Sequence, residues 1–379
     1  MAMATAGQNH EMAVRYGIIG VGMMGREHMN NLAALEGAQV VAVADTHPPS
    51  LNAALQLASS LPNALTPPPP LQVFADHKAL LESGLCDVLV VSTPNMTHAE
   101  ILLDILSYPK SHHVLVEKPL CTTVEDCKKV IEASKKRPEI LLQVGLEYRY
   151  MPPIAKLVQQ VRAGVLGSVK MVAIREHRFP FLVKVHNWNR FNVNSGGTLV
   201  EKCCHFFDLM NLIVNAKPVQ VMASGGQDVN HLNEIYDGKV PDILDNAYVV
   251  VEYENGTRAM LDLCMFAEGS QNEQEICVVG DKGKGEALIP ENIVRIGSRS
   301  GGRSGVQTFK ALDDRIRYDG LHHGSSYLEH LEMLTAVKSH GDQPPAIGLI
   351  EGLYSVVVGV AAQTSIALGR VIAINEILG

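Results

Sequence analysis

Apolar positions in the first third of the chain come in short solid blocks rather than in stripes. YGIIGVG from Tyr16, VVAVAD ending at Asp45, VLVVSTP over 88–94, HVLVEKP over 113–119 and ILLQVGLEY over 140–148 are largely apolar, and helical segments separate them. Strands of this kind are buried on both faces, which predicts a parallel sheet with helices packed on each side. LPNALTPPPPLQVF interrupts the alternation, because four consecutive prolines exclude a helix interior. Residues 62–70 are read as a solvated surface insertion, with a polyproline II ligand as the alternative.

After Tyr150 the rhythm changes. MPPIAKLVQQVRAGVLG opens with prolines and closes at glycine, as a short amphipathic helix does. SVKMVAIREHR, VQVMASGG, NAYVVVEYENGTRAMLDLCMF and EQEICVVGDKGKGEALI then arrive without helices between them. Asn255-Gly256 and GDKGKG read as hairpin turns, so the second sheet is expected to be large, open and mostly antiparallel. SSYLEHLEMLTAVKSH near 325–340 and LIEGLYSVVVGVAAQTSIALG near 349–369 close the chain as helices. The expected layout is a flexible tail at 1–12, an α/β domain over 13–149 and an α+β domain over 150–379. Two domains also suit a length of 379 residues, more than one core usually serves.

Composition narrows the partners. Hydrophobic residues at 46% and charged residues at 19% are ordinary for a globular protein, and a net charge of −8 argues against nucleic acid or an anionic membrane as partner. MAMATAGQNHEMAVR shows no charged start, apolar core and cleavage site of a secretory signal. No apolar run is expected to reach the roughly eighteen residues of a membrane span. Seven cysteines without C-x-x-C pairs suit a reducing compartment, so the cytoplasm is the expected location. An open sheet leaves an apolar face to cover, and a homo-dimer or homo-tetramer through the second sheet is expected.

The chemistry starts at the first block. Gly20, Gly22 and Gly25 have the G-x-G-x-x-G spacing directly after a strand and at the start of a helix, with Met23 and Met24 inside the turn. The first glycine allows a tight turn, the second lets backbone approach a pyrophosphate, and the third lets helix pack on strand. The helix N-terminus then favours the phosphate charge. Asp45, about twenty residues on at the end of the next strand, can accept ribose hydroxyls and repel a 2′-phosphate, which points to NAD over NADP. The first domain is therefore read as a Rossmann domain. An ordinary strand-to-helix turn is the bland alternative.

Ligands of open parallel sheets lie beyond the carboxyl ends of the strands. Three segments end strands there: Ser92-Thr93-Pro94-Asn95 with His98 after it, Glu117-Lys118-Pro119, and Glu147-Tyr148-Arg149. Lys118 can bond a substrate hydroxyl and stabilise the alkoxide, or it is a surface lysine. If a helix starts near Thr198, then Glu201, His205 and Asp208 share a face, and a carboxylate beside an imidazole makes a general base. Thr198 and Glu201 also satisfy a capping box, which needs no chemistry. Cys203 and Cys204 before His205 point to different sides of a helix, so no metal site is expected. His112-His113 and His322-His323 read as polar loop residues. Trp188, the single tryptophan, walls the substrate pocket or anchors a core.

In order, GIIGVGMMG, AVAD, STPNMTH, VEKPL and SGGTLVEKCCHFFDLM make the chain resemble, from about Val14 to its end, the family of glucose-fructose oxidoreductase, inositol dehydrogenase and the rhizopine-catabolism protein MocA. The resemblance implies NAD(P)-dependent oxidation of a secondary alcohol on a sugar, polyol or inositol ring. It also implies that Lys118, His205 and Glu201 act together in catalysis, Glu201 standing where inositol dehydrogenases have aspartate. Cofactor contacts are expected from Gly20, Gly22, Met23, Met24, Gly25, Asp45, Thr93, Pro94, Asn95, His98, Glu117 and Lys118. Substrate contacts are expected from Lys118, Arg149, Trp188, Lys202 and His205. A glycosidase using NAD for transient sugar oxidation and a non-catalytic NAD/sugar sensor are the competing classes.

Overall fold

The computed structural model describes residues 13–61 and 70–379, so the expected tail at 1–12 and most of the proline-rich insertion lie outside the described residues. Six strands form the first sheet: β1 (Val14–Ile19), β2 (Ala38–Ala44), β3 (Gln72–Phe74), β4 (Val88–Val91), β5 (His113–Glu117) and β6 (Leu142–Gly145). All pairs are parallel, in the order β3-β2-β1-β4-β5-β6. Every residue of β4 has zero exposure, as a strand covered on both faces must. The strand order reverses between β1 and β4, and a crevice opens beyond their carboxyl ends.

The second sheet has nine strands: β7 (Val169–His177), β8 (Pro218–Gly226), β9 (Asn246–Tyr253), β10 (Arg258–Cys264), β11 (Gln274–Gly280), β12 (Gly283–Ile289), β13 (Ile293–Ser298), β14 (Gln307–Lys310) and β15 (Ile372–Ala373). Their order is β14-β13-β12-β11-β7-β10-β9-β8-β15. Both anticipated hairpins are present, β9 with β10 and β11 with β12. Among the described strands of this second sheet only β7 and β10 pair in parallel. The expectation that no helix falls among these strands was wrong, since Cys204–Val214 lies between β7 and β8 in the chain and packs under the sheet.

Pro152–Arg162, Ser325–Lys338 and Leu349–Leu368 are the helices expected from their patterns. Leu349–Leu368 corrects one expectation, because by length and composition it is apolar enough to cross a membrane. In the fold, 61% of its most apolar stretch is buried, against the helix Cys204–Val214 and β8. Its uniform hydrophobicity is that of a core helix.

Candidate active site

The glycine turn shows three separate steric reasons for its three glycines. Gly20 has φ +87°, and a Cβ there would lie 2.8 Å from Ser92 backbone. A Cβ on Gly25 would come within 2.0 Å of the Gly20 carbonyl oxygen, so helix Met23–Ala33 lies on β1 only with hydrogen at that position. Around Gly22 nothing stands within 4 Å of a would-be Cβ. That open space, at a helix N-terminus lacking a side-chain cap, is where a pyrophosphate fits. Asp45 at the end of β2 accepts the Val21 and His47 amides, each at 2.8 Å, which fixes its carboxylate beside the turn.

A cleft of about 800 Å³ follows the strand ends and is lined by Gly20, Gly22, Met23, Met24, Asp45, Thr93, Pro94, Asn95, Glu117, Lys118 and Trp188. The residues present thus fit a dinucleotide. Trp188 is half-buried in a loop bent at His186 and Asn187, whose φ values are 54° and 50°. That loop crosses from the second domain, and the His186 ring meets His47 edge-on at 5.7 Å. His98 lines no part of the cleft. It is fully buried, with ring nitrogens 2.9 Å from the Pro119 carbonyl and 3.1 Å from that of Thr93, so it ties two strand-end loops together.

At its inner end the cleft meets a smaller pocket of about 100 Å³, and Lys118, Glu117, Glu201, Met23 and Met24 border both. Lys118 Nζ donates to the Glu201 carbonyl at 3.0 Å and lies 3.5 Å from Glu201 Oε1. Burial alone would depress the ammonium, but the Glu201 carboxylate outweighs it and holds Lys118 charged. His205 lines the same small pocket, so β5 and the segment after Gly197 bring the ammonium and the imidazole to one place.

The expected Glu201–His205 dyad is not formed. The helix breaks into Thr198–Glu201 and Cys204–Val214, with a turn at Lys202 and Cys203. An unbroken helix would bond the Glu201 carbonyl to the His205 amide; here that carbonyl accepts Lys118. His205 stacks on Tyr148 instead, ring centroids 4.0 Å apart at 10°, and its Nδ1 is buried without a partner among the described residues. Burial, reinforced by Lys118 and Lys202, pushes the imidazole well below its usual pKa. No capping box forms either, because Thr198 Oγ1 donates to the Leu244 carbonyl.

Two expected substrate residues are elsewhere engaged. Arg149 is absent from both pockets and forms a bidentate pair with Asp208, Nε–Oδ2 at 2.6 Å and Nη2–Oδ1 at 2.5 Å, beside a separate surface cavity. Asp208 therefore leaves the shared face expected of it. Lys202 does border the small pocket, but it is buried between Glu176 at 3.0 Å and the Tyr148 hydroxyl at 2.7 Å. Burial, with Arg178 nearby, lowers its ammonium.

Several pocket residues were not anticipated: Tyr148 as the shelf under His205, Arg178, Lys184, and His322 near Glu147, with Glu176 behind the pocket as the partner of Lys202. Glu176 left a readable signal, since it shares the inward phase of β7 with Val172 and Ile174 and is equally buried. An acid in that phase needs a partner. His322 left none in the sequence. Beneath the pocket Glu117 receives His28 at 3.0 Å, and His28 meets His330 at 2.9 Å.

Two family models match the chain: "Oxidoreductase family, NAD-binding Rossmann fold" over residues 14–146 and "Oxidoreductase family, C-terminal alpha/beta domain" over residues 158–374. A myo-inositol 2-dehydrogenase of Thermotoga maritima is 28% identical over 370 residues, covering 97% of this chain and 100% of that one. A solved probable dehydrogenase from Thermotoga maritima aligns with a TM-score of 0.75 at 25% identity, over 96% of this chain and 100% of its own. Levoglucosan dehydrogenase, solved with NADH and levoglucosan, gives 0.80 at 18% identity over 96% and 100%, a likeness of fold alone.

Proposed function

The chain belongs to the Gfo/Idh/MocA oxidoreductases and is an NAD-dependent dehydrogenase, and from that premise we propose that it oxidises a secondary alcohol of a sugar, polyol or inositol. One observation carries the reading. The Lys118 ammonium, anchored on Glu201, stands on the boundary between the dinucleotide cleft and the small polar pocket.

Gly20, Gly22 and Gly25 with the helix N-terminus would hold the dinucleotide phosphates, Asp45 its ribose, and Thr93, Pro94 and Asn95 the inner wall. Asp45 also disfavours a 2′-phosphate, hence NAD over NADP. The bound nicotinamide supplies the hydride acceptor. Lys118 donates to the substrate oxygen and stabilises the negative charge that grows there as the proton leaves. His205, neutral and stacked on Tyr148, orients that hydroxyl. A neutral imidazole there can take the hydroxyl proton as the hydride leaves, and the nearby Lys118 and Lys202 favour its onward release. Lys202 bounds the small pocket and Trp188 the cleft beside it. A cytosolic location is supported by seven free cysteines. A homo-oligomer built on the open face of the nine-stranded sheet completes the proposal.

NADH appearance at 340 nm, screened over inositols, polyols, aldoses and glycosides with NAD and NADP, tests the reading. The expected result is NADH accumulating with at least one cyclic polyol or sugar, faster with NAD. Aglycone release without NADH would favour a glycosidase, and no turnover across the panel would overturn the assignment.

A further inference from the structure

Four lysine and arginine side chains border the small pocket: Lys118, Arg178, Lys184 and Lys202. Two are matched with acids, Lys118 with Glu201 at 3.5 Å and Lys202 with Glu176 at 3.0 Å. Arg178 reaches Glu176 only through Nη1, at 3.4 Å, and Glu176 already serves Lys202 and Gln274. Its Nε is buried with no hydrogen-bond partner among the described residues, and its Nη2 bonds to none of them. Nε and Nη2 form one edge of the guanidinium, the edge with which Arg149 grips Asp208. On Arg178 that edge has no acceptor. Lys184 borders both the pocket and the dinucleotide cleft, and its ammonium makes no ion pair or hydrogen bond among the described residues.

Both cations are fixed in place. Arg178 directly follows β7, with its amide and carbonyl bonded at 2.9 Å to Cys264 and Ala267, and its guanidinium lies over the Phe179 ring at 4.2 Å. Stacking uses the face of the guanidinium and leaves the in-plane donors available. Lys184 stands on a loop that Asn189 and Arg190 tie back to the Leu182 and Phe181 carbonyls. Burial outweighs the Glu201 charge and lowers its ammonium, an effect that a facing anion would oppose. The acids of the pocket do not answer these two cations. Glu201 is on Lys118, Glu117 holds His28, and Glu147, raised to about 8 by burial, is largely uncharged at neutral pH.

We propose that the sugar or polyol oxidised here carries a carboxylate, which Arg178 receives on its Nε–Nη2 edge and Lys184 neutralises from the loop. The proposal rests on the dehydrogenase reading above and narrows its substrate to a polyhydroxy acid. A planar pair of carboxylate oxygens matches the planar pair of donors. One edge of Arg178 is open and the pocket measures only about 100 Å³, which suits a planar group better than a tetrahedral phosphate. The hydroxyl to be oxidised lies toward Lys118 and His205, which border the same pocket. The chemistry is unchanged: the C–H pair passes to NAD as hydride, the hydroxyl proton is released, and the hydroxy acid becomes an oxo acid with its carboxylate intact. A neutral sugar leaves two desolvated cations without an acceptor and reacts more slowly.

NADH formation by the full-length protein tests this with matched pairs, D-galacturonate against D-galactose and D-gluconate against D-glucitol, and with D-glucose 6-phosphate. At least one acid is expected to exceed its neutral counterpart by about 10²-fold in kcat/KM, mainly through KM. Arg178→Met and Lys184→Met are each expected to cut that preference by about tenfold, and Arg178→Lys, which keeps the charge without the paired donors, to restore only part of it. Acids no better than their neutral counterparts in both pairs, a 6-phosphate preferred over the carboxylates, or a preference that survives both methionine variants overturns the proposal. Calorimetry needs no turnover. The NADH complex of the wild type is expected to bind one of the two acids about tenfold more tightly than its neutral counterpart, and Lys184→Met, which removes no bond within the fold, to lose that difference. Equal affinities overturn the site too. No NADH from any compound, acid or neutral, refutes the dehydrogenase reading while calorimetry still decides the site, whereas NADH formed as readily from the neutral compounds refutes only the carboxylate site.

Discussion

Lys118 is where sequence and structure meet most directly at the scale of one residue. Its ammonium has two oxygens of Glu201 near it and the pocket on its open side. Replacing it by alanine removes the donor to the developing alkoxide but nothing from the glycine turn. Lys118→Ala is expected to lower kcat by about 10²–10³-fold while leaving the NADH dissociation constant within about twofold, as stopped-flow and fluorescence titration would show. Equal losses in both would place Lys118 in cofactor binding instead. Glu329 allows a stability test. It is buried, neither oxygen has a partner among the described residues, and burial with Glu147 and Glu117 pushes its carboxyl well above the usual range. A raised folded pKa stabilises the fold below the unfolded value, and that contribution is lost as pH climbs through the raised one. Glu329→Gln keeps the shape and cannot ionise, so its Tm should exceed the wild type's at pH 9 and converge with it toward pH 5. A gap independent of pH would contradict this. The site was legible where chemistry sits within a few residues of a patterned strand, as Lys118 after VLVE does. It was illegible where residues meet from far along the chain: His322 and Glu147 border the same small pocket from positions 175 apart, and neither segment alone carries a periodic signal.

Among the elements, those whose burial is uniform or strictly alternating were readable. β4 and β5 are apolar on both faces, and β9 through β12 alternate between hairpin turns. β13 and β14 went unread, because β13 itself carries Arg295, Gly297 and Ser298, and RSGGRSG (299–305) between the two strands adds more flexible and charged residues where a strand pattern would need apolar ones. The break after Glu201 was unreadable for another reason. TLVEKCCHFFDLM has good helical composition throughout, and what interrupts it is the Lys118 ammonium occupying a backbone carbonyl. The glycine turn offers an element-scale experiment in which two similar substitutions diverge. At Gly22 an alanine methyl enters open space, so Gly22→Ala should keep the wild-type Tm within about 2 °C and weaken NADH binding tenfold or more, by crowding the phosphates. Gly25→Ala forces a methyl against the Gly20 carbonyl and should lower Tm by several degrees or abolish folding. If Gly22→Ala binds NADH normally, the phosphates do not lie against that residue.

For the whole molecule the decisive surface is the outer face of the nine-stranded sheet. The helices Cys204–Val214 and Leu349–Leu368 cover its inner face. On the outer face, register places Met222, Val250, Met260, Ala173 and Cys277 side by side across β8, β9, β10, β7 and β11. Met222 is 55% exposed and Tyr248, in the adjacent row, 61%. That adjacent row goes on to Asp262, Arg175 and Glu275, which pair with one another, so an apolar band runs beside a charged one. A continuous apolar band at the centre of a large sheet is costly to leave in water, and in the assembly proposed above a second copy of the same face would cover it while the charged row fixed the register. Met260, in the middle of the band, is the position to test. Its side chain meets no core residue's role, whereas an aspartate there would bury a charge in the dimer and cost several kcal/mol for each copy. Sedimentation velocity at micromolar concentration is expected to show the wild type as a dimer or tetramer of the 41.1 kDa chain and Met260→Asp as a monomer with its NADH affinity intact. A wild type that sediments as a monomer would leave this face without a partner copy and end the proposal of assembly through it.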